Sequence, residues 1–127
     1  MKTYIGLNIQ FPISQSILDG SKTVETRTYP LPERLQNVEL LMVETPGRTG
    51  KFKSRIVAKI IFSSSFKYKS KKDFHLDFVR HRVAPDSKWD WGEKGKWGWI
   101  IKEVVVLNNP KPLKKKPGIV YTINLTI

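Results

Sequence analysis

Three long charged side chains fall within six residues, 22–27, of segment 19–27, which has the sequence DGSKTVETR. Lys22, Glu25 and Arg27 are residue types that bind anions, transfer protons and orient polar ligands. In a regular strand Glu25 and Arg27 point to the same face, because successive side chains alternate between faces. Lys22 precedes the strand and can turn towards either face. The segment therefore predicts a polar ligand site in a cleft, and the alternative is an ordinary exposed salt bridge.

The composition limits the classes of site that the chain can form. Its 127 residues include no cysteine, which excludes disulfides, thiolate nucleophiles and cysteine-based zinc sites. Two histidines are too few for a histidine-only metal site, so we expect no metal and no cofactor. The sequence contains neither a signal-peptide pattern nor an apolar run long enough to span a membrane. We expect one cytoplasmic domain, residues 1–127, without a membrane partner.

Basic residues outnumber acidic ones by 23 to 11, which gives a net charge of +12. Such an excess attracts polyanions, and nucleic acid is the most common polyanionic partner of proteins. We expect RNA, single-stranded or structured, in preference to DNA. The candidate nucleic-acid-binding residues are lysines and arginines that neutralise phosphates, and tryptophans that stack on unpaired nucleobases. They are Lys22, Arg27, Arg48, Lys51, Lys67, Lys69, Lys71, Lys72, Arg80, Arg82, Trp89 and Trp91.

The remaining aromatic residues and histidines have simpler interpretations. Trp97 and Trp99 share one face of an apolar strand and are expected in the core. For Trp89 and Trp91, stacking on a base and packing within the protein both remain open. His81 lies between two arginines and is expected to be an exposed or capping residue, not a general base.

Alternating apolar residues predict the elements that must position these side chains. Strands are expected at 4–11, 22–29, 38–44, 54–66, 99–107 and 119–125, and a basic loop at 46–51. Helices are expected at 12–19 and 73–82, the second with Phe74, Phe78 and Val79 facing inward. A loop rich in proline and lysine is expected at 108–117. Short connections favour a small, mostly antiparallel β-barrel with two flanking helices, because closure removes unpaired edges.

Segment 7–29 resembles the ASCH domain family of the PUA-like superfamily. The family signature Gly-x-Lys-x-x-Glu-x-Arg is matched by Gly20, Lys22, Glu25 and Arg27, and a Gln-x-Pro motif precedes it at 10–12. Segments 98–101 and 110–118 resemble the last strands of the family, so the resemblance covers nearly the whole chain. It implies a PUA-like fold, mainly β with short helices, and a cleft beside the first helix that gathers the charged signature residues.

The same resemblance implies a function in RNA binding. Some bacterial members of the family are amidohydrolases that act on N4-acetylated cytidine, and ribonuclease activity is proposed for others. In the amidohydrolase branch a threonine follows the lysine by three residues, whereas this chain has Glu25. That branch also has a supporting glutamate farther along its chain. The acidic residues of this chain nearest to the corresponding position are Asp73 and Asp77.

Two main hypotheses follow for the function. A nucleic-acid-binding module is favoured, because a carboxylate beside Lys22 is expected to raise the pKa of this lysine. The alternative is a hydrolase, an amidohydrolase or a ribonuclease. In the hydrolase hypothesis Lys22 is the base or nucleophile, Glu25 transfers a proton and Arg27 stabilises an oxyanion or phosphate. A reader of one modified base and a protein-binding module are further alternatives.

Overall fold

The computed structural model describes residues 2–127 and consists of one mixed sheet with short helices. No helix in this part of the chain is long and apolar enough to cross a membrane. A single 3-10 turn occupies Glu33–Leu35. The elements in chain order are β1 (Tyr4–Gln10), α1 (Ile13–Leu18), β2 (Val24–Arg27), β3 (Leu40–Thr45), β4 (Arg55–Lys67), α2 (Lys71–Leu76), α3 (Phe78–His81), β5 (Trp97–Pro112) and β6 (Tyr121–Leu125).

The strands are arranged in the order β2-β5-β4-β3-β1-β6. Strands β1 and β3 are parallel, and the other four neighbouring pairs are antiparallel. The predicted class, mainly β with six mostly antiparallel strands, is confirmed. The predicted closure into a barrel is wrong, because β2 and β6 end the sheet and do not pair with each other. These edge strands have only four and five residues, and such short edges are tolerated without closure.

The main core lies between one face of the sheet, α1 and the 29–38 connection. Trp99 and Phe62 are fully buried there, with their ring centroids 5.5 Å apart in an edge-to-face arrangement. The indole N–H of Trp99 donates to the Tyr29 carbonyl at 3.0 Å, so the polar atom of this ring is satisfied. The core position expected for Trp99 is therefore confirmed, and Trp97 is half-buried against the same cluster.

The helix predicted at 73–82 is divided into α2 and α3 at Asp77, so the structure has three short helices and not two. The Asp77 carboxylate accepts hydrogen bonds from Tyr68 and Arg80, and these contacts hold the chain at the break. The change of direction turns Val79 outward, where 70% of it is exposed, and Phe78 is also exposed. The inward orientation predicted for these two side chains is wrong, whereas Phe74 is buried as expected.

Strand β5 continues through the first half of the loop predicted at 108–117. Lys111 pairs with Ile56 and Pro112 with Arg55 at the start of β4. Strand β2 covers only the first residues of β5, so the far half of β5 is a free edge. Proline is accepted at an edge because its missing N–H faces no partner strand.

Segment 68–96 leaves the sheet after β4 and returns at β5. It contains α2, α3 and the stretch 84–96, which we call the Trp loop. The return is fixed by a hydrogen bond of 3.0 Å from the Tyr68 N–H to the Lys96 carbonyl. A separate small core of Tyr68, Phe74 and Val83 supports this segment, with Trp91 packed against it. The Thr23 N–H donates to the Arg80 carbonyl at 2.9 Å, which places α3 at the start of β2, and the Trp loop ends beside Arg27, the partner of Trp97 at the other end of β2.

Candidate functional site

A cavity of about 540 Å³ lies where β1, α1, β2 and the Trp loop meet. Its polar wall includes Asn8, Gln10, Ser16, Thr26, Thr45 and Ser87. Its charged side chains are Lys22, Glu25, Arg27, Arg82 and Lys96, and Trp89 adds an aromatic surface. Among residues 2–127, no group of three or more histidine, aspartate and glutamate side chains is arranged to hold a metal ion.

Glu25 is the centre of a buried ion cluster on this wall. The Arg27 guanidinium donates to Glu25 Oε2 from Nη2 at 2.9 Å and from Nε at 3.2 Å. The Lys22 ammonium lies 3.5 Å from the other carboxylate oxygen, Oε1. Only 3% of Lys22 and 6% of Glu25 are exposed. The structure thus brings the three signature charges together inside one concavity and does not leave them as an exposed salt bridge.

Backbone carbonyls on two other elements hold the two cations in place. Lys22 Nζ donates to the carbonyl of His81 in α3 at 2.5 Å. Arg27 Nη2 donates to the carbonyl of Asn8 in β1 at 3.0 Å. The turn before β2 aims Lys22 inward, because Gly20 adopts φ +84° and the Lys22 N–H bonds the Ser16 carbonyl.

Asn8 is a site residue that the sequence reasoning missed. Its side-chain N–H donates to the Gly118 carbonyl at 2.7 Å, and its oxygen accepts from the Thr122 hydroxyl at 3.0 Å. These bonds tie β1 to β6 and to the 113–120 connection, which places Gly118 and Ile119 on the cavity wall. A single asparagine in an alternating strand carries no sequence signal for this role.

Burial and pairing act on the ion cluster in opposite directions. Burial alone would raise the pKa of Glu25, but the charges of Arg27 and Lys22 hold that pKa below its usual value. Burial lowers the pKa of Lys22 from its ordinary value of 10.5, and the Glu25 carboxylate opposes this shift. The carboxylate thus acts on the pKa of Lys22 in the expected upward direction, but desolvation outweighs it and the net shift is downward.

Asp90 positions the opposite wall, formed by the Trp loop. Its carboxylate accepts the backbone N–H groups of Asp86 at 2.8 Å and Trp91 at 2.7 Å. It also contacts His75 Nε2 at 2.7 Å, which ties the Trp loop to α2. This arrangement fixes the stretch that carries Ser87, Trp89 and Lys96 into the cavity.

Lys96 is the second residue that the sequence reasoning missed. It is only 7% exposed and lines the cavity, although it immediately precedes the apolar start of β5. Burial lowers the pKa of its ammonium from 10.5, and the charges of Asp90 and Glu25 partly oppose that shift. A lysine among other charged residues before a strand gives no signal that it is buried.

The predicted nucleic-acid-binding residues fall into two groups. Lys22, Arg27, Arg82 and Trp89 line the cavity, and Trp89 is 40% exposed. The other basic residues lie outside the cavity wall and have exposed side chains: Arg48, Lys51, Lys67, Lys69, Lys71, Lys72 and Arg80. Trp91 also lies outside the cavity wall and packs 6.0 Å from Phe74, centroid to centroid.

His81 is fully buried, so the expectation of an exposed or capping residue is wrong. Its Nδ1 accepts the Val83 N–H at 2.9 Å, and its Nε2 lies 2.6 Å from the Phe74 carbonyl, to which it donates. In the neutral imidazole, both ring nitrogens thus form hydrogen bonds with backbone groups. Burial lowers the pKa of His81 from 6.5.

The fold is similar to that of a solved ASCH protein from Zymomonas mobilis. The match has a TM-score of 0.70 at 14% sequence identity and covers 94% of this chain and 86% of that chain. Structures of two point mutants of the same protein match with TM-scores of 0.68 and 0.70 at 13% identity. No family profile and no curated protein matches the sequence. The chain therefore has the fold of these ASCH proteins, as the resemblance of its signature segment led us to expect.

The buried imidazole of His81 predicts a loss of stability in mild acid. The unfolded chain binds a proton on this residue near pH 6.5, whereas the folded chain binds it only at lower pH. This contribution to the free energy of unfolding is complete above that pH and declines below it, by up to about 1.4 kcal/mol per pH unit. Urea unfolding across this range measures the slope.

His81→Gln should flatten the slope, and His75→Gln should retain the contribution because the buried imidazole is still present. An equal slope in the wild type and in His81→Gln would show that His81 does not titrate differently on folding.

Proposed function

We propose that this protein is an RNA-binding module of the ASCH type, and that its cavity receives one nucleotide of the bound chain. One observation carries this proposal. The cavity combines the buried Lys22–Glu25–Arg27 cluster with a half-exposed tryptophan and the exposed guanidinium of Arg82 on a concave wall. A nucleotide combines a phosphate, which suits a basic cavity on a chain of net charge +12, with a nucleobase, which suits an aromatic surface.

The exposed lysines and arginines outside the cavity supply the part of the affinity that does not depend on the RNA sequence. Lys67, Lys69, Lys71 and Lys72 are all exposed at the end of β4 and the start of α2. Arg48 and Lys51 lie in the loop that follows Thr45, itself a residue of the cavity wall. Each basic side chain that neutralises a phosphate releases a counterion, so the affinity that these residues contribute falls as the salt concentration rises.

Trp89 and Ile119 give the cavity rim an apolar surface. Ile119 is almost fully exposed and Trp89 nearly half exposed, although both line the cavity. The Lys88 ammonium lies 4.7 Å from the centre of the Trp89 ring. Unpaired bases of RNA stack on exposed aromatic rings, and the 2′-hydroxyl offers a further donor and acceptor to a polar wall. These features favour single-stranded RNA over a regular duplex.

A hydrolase acting on a modified nucleoside or on RNA is the second candidate. The observation in its favour is the lowered pKa of Lys22, which makes the amine a better base or nucleophile. Arg27 lines the same cavity, and in this role its guanidinium stabilises developing negative charge. Against this role, Lys22 donates to the His81 carbonyl and lies beside the Glu25 carboxylate, contacts that favour its protonated form.

Replacing Trp89 by alanine should weaken binding of a short single-stranded RNA by about 1 to 3 kcal/mol, because one stacked base loses its platform. Fluorescence anisotropy at fixed salt measures the loss. Trp89→Phe should retain most of the affinity, and Trp91→Phe, outside the cavity, should leave it unchanged. Equal affinity of Trp89→Ala and the wild type would remove this ring from the interface.

Replacing Lys67, Lys69, Lys71 and Lys72 together by serine should weaken RNA binding and reduce its salt dependence. The slope of log affinity against log salt should fall by roughly 0.7 for each lost phosphate contact. Trp89→Ala is the matched control, because losing a stacking platform lowers affinity without changing the slope. A slope equal to that of the wild type would exclude these lysines from the interface.

The hydrolase candidate predicts turnover of an acylated cytidine that Lys22→Met abolishes. Mass spectrometry of the nucleoside after incubation with the wild type detects the loss of the acyl group. We expect no turnover if the cavity only binds RNA, since Lys22 then stays protonated against Glu25. Deacylation by the wild type and not by Lys22→Met would instead establish the enzyme.

A further inference from the structure

Lys96 differs from the other buried cations of the cavity because it has no partner. Lys22 and Arg27 share the Glu25 carboxylate and also donate to backbone carbonyls. Only 7% of Lys96 is exposed, and within residues 2–127 its ammonium forms no hydrogen bond or salt bridge, although the charges of Asp90 and Glu25 act on it from a longer distance. An unpaired buried charge is costly, and proteins normally pair such a group with an opposite charge. The cavity therefore contains one cation that a ligand can satisfy.

Ser87 is a second polar group on the same Trp loop without a partner. Its hydroxyl oxygen is inaccessible to solvent and makes no hydrogen bond within residues 2–127, although Ser87 lines the cavity. Buried hydroxyl groups in native proteins are nearly always hydrogen-bonded. Because solvent does not reach this oxygen, the Lys96 ammonium is the donor that the Trp loop offers to a ligand in the cavity.

The charge balance of the cavity favours an anion at this place. Within residues 2–127, its wall contains four cationic side chains, Lys22, Arg27, Arg82 and Lys96, and one carboxylate, Glu25. Glu25 is already held by two of these cations. The potential that remains is positive, and a concave, poorly solvated wall concentrates it.

We propose that Lys96 forms an anion subsite for the phosphate of the bound nucleotide, so that the cavity takes a nucleotide and not a nucleoside. This rests on the proposed function, in which one nucleotide of an RNA chain enters the cavity. A phosphate oxygen accepts charge-assisted hydrogen bonds from an ammonium, and lysine is a common phosphate ligand. With the phosphate on Lys96, the base is left to pack against Trp89 at the rim.

The subsite is tested by calorimetric titration of the wild type and variants with nucleoside 5′-monophosphates, the matching nucleosides and inorganic phosphate. The wild type should bind a monophosphate about tenfold or more tightly than its nucleoside, as expected for hydrogen bonds to a charged group. Lys96→Met should abolish this difference by weakening only the monophosphate. Lys96→Arg should retain part of it, and Lys94→Met, at an exposed lysine of the same loop, should retain all of it.

The stability of the free variant separates binding from a structural role. Without ligand, Lys96→Met should unfold at the same temperature as the wild type or above it, because an unpaired buried charge is removed. Inorganic phosphate should raise the unfolding temperature of the wild type and not that of Lys96→Met. A variant that unfolds earlier and responds to phosphate as the wild type does would assign Lys96 a structural role and overturn the subsite.

The possible outcomes distinguish this inference from the proposed function. Equal wild-type affinity for nucleosides and monophosphates, or RNA binding unaffected by Lys96→Met, would overturn the subsite and leave RNA binding in place. Phosphate binding that depends on Lys96, without binding of any nucleotide or RNA, would retain an anion subsite and overturn the proposed function. Absence of binding by phosphate, nucleotides and RNA would overturn both.

Discussion

The buried carboxylate of Glu25 is the interaction on which the architecture of the site depends. It lies against Lys22 and Arg27, and each of these cations is also bonded to a backbone carbonyl on another element. Lys22 reaches His81 in α3 and Arg27 reaches Asn8 in β1, so one acid joins three parts of the chain. Removing one partner of a buried ion pair costs about 3 to 5 kcal/mol, because the other charge stays uncompensated. The cluster therefore stabilises the cavity wall as well as giving it charge.

The local part of this arrangement is predictable from the sequence and the distant part is not. Alternation along a strand places Glu25 and Arg27 on one face, and the six strands follow from apolar periodicity in the same way. The bond from Lys22 to the His81 carbonyl spans 59 residues, and that from Asn8 to Gly118 spans 110. Contacts at such separations depend on the folded topology, so the burial of His81 and the role of Asn8 carry no local signal.

The remaining errors have physical causes of the same kind. The helix expected at 73–82 breaks at Asp77, where the carboxylate accepts a hydrogen bond from Tyr68 outside the helix and a local one from Arg80. Strand β5 runs through its prolines because its far half is an edge, which depends on how little of it β2 covers. Lys96 resembles any solvated lysine in the sequence, and only the return of the Trp loop beside Tyr68 buries it. Charge patterns thus predicted a charged concavity, and the fold decided which charges line it.

The most direct test of the account is a crystal structure of the protein soaked with a ribonucleoside monophosphate at a concentration that saturates binding in solution. The account predicts electron density in the cavity, with the base against the Trp89 ring and the phosphate in contact with the Lys96 ammonium. Density only at the exposed lysines of segment 67–72, with the cavity free of nucleotide, would contradict it. In that case the cavity would not be the nucleotide site, and the Glu25 cluster would have only a structural role.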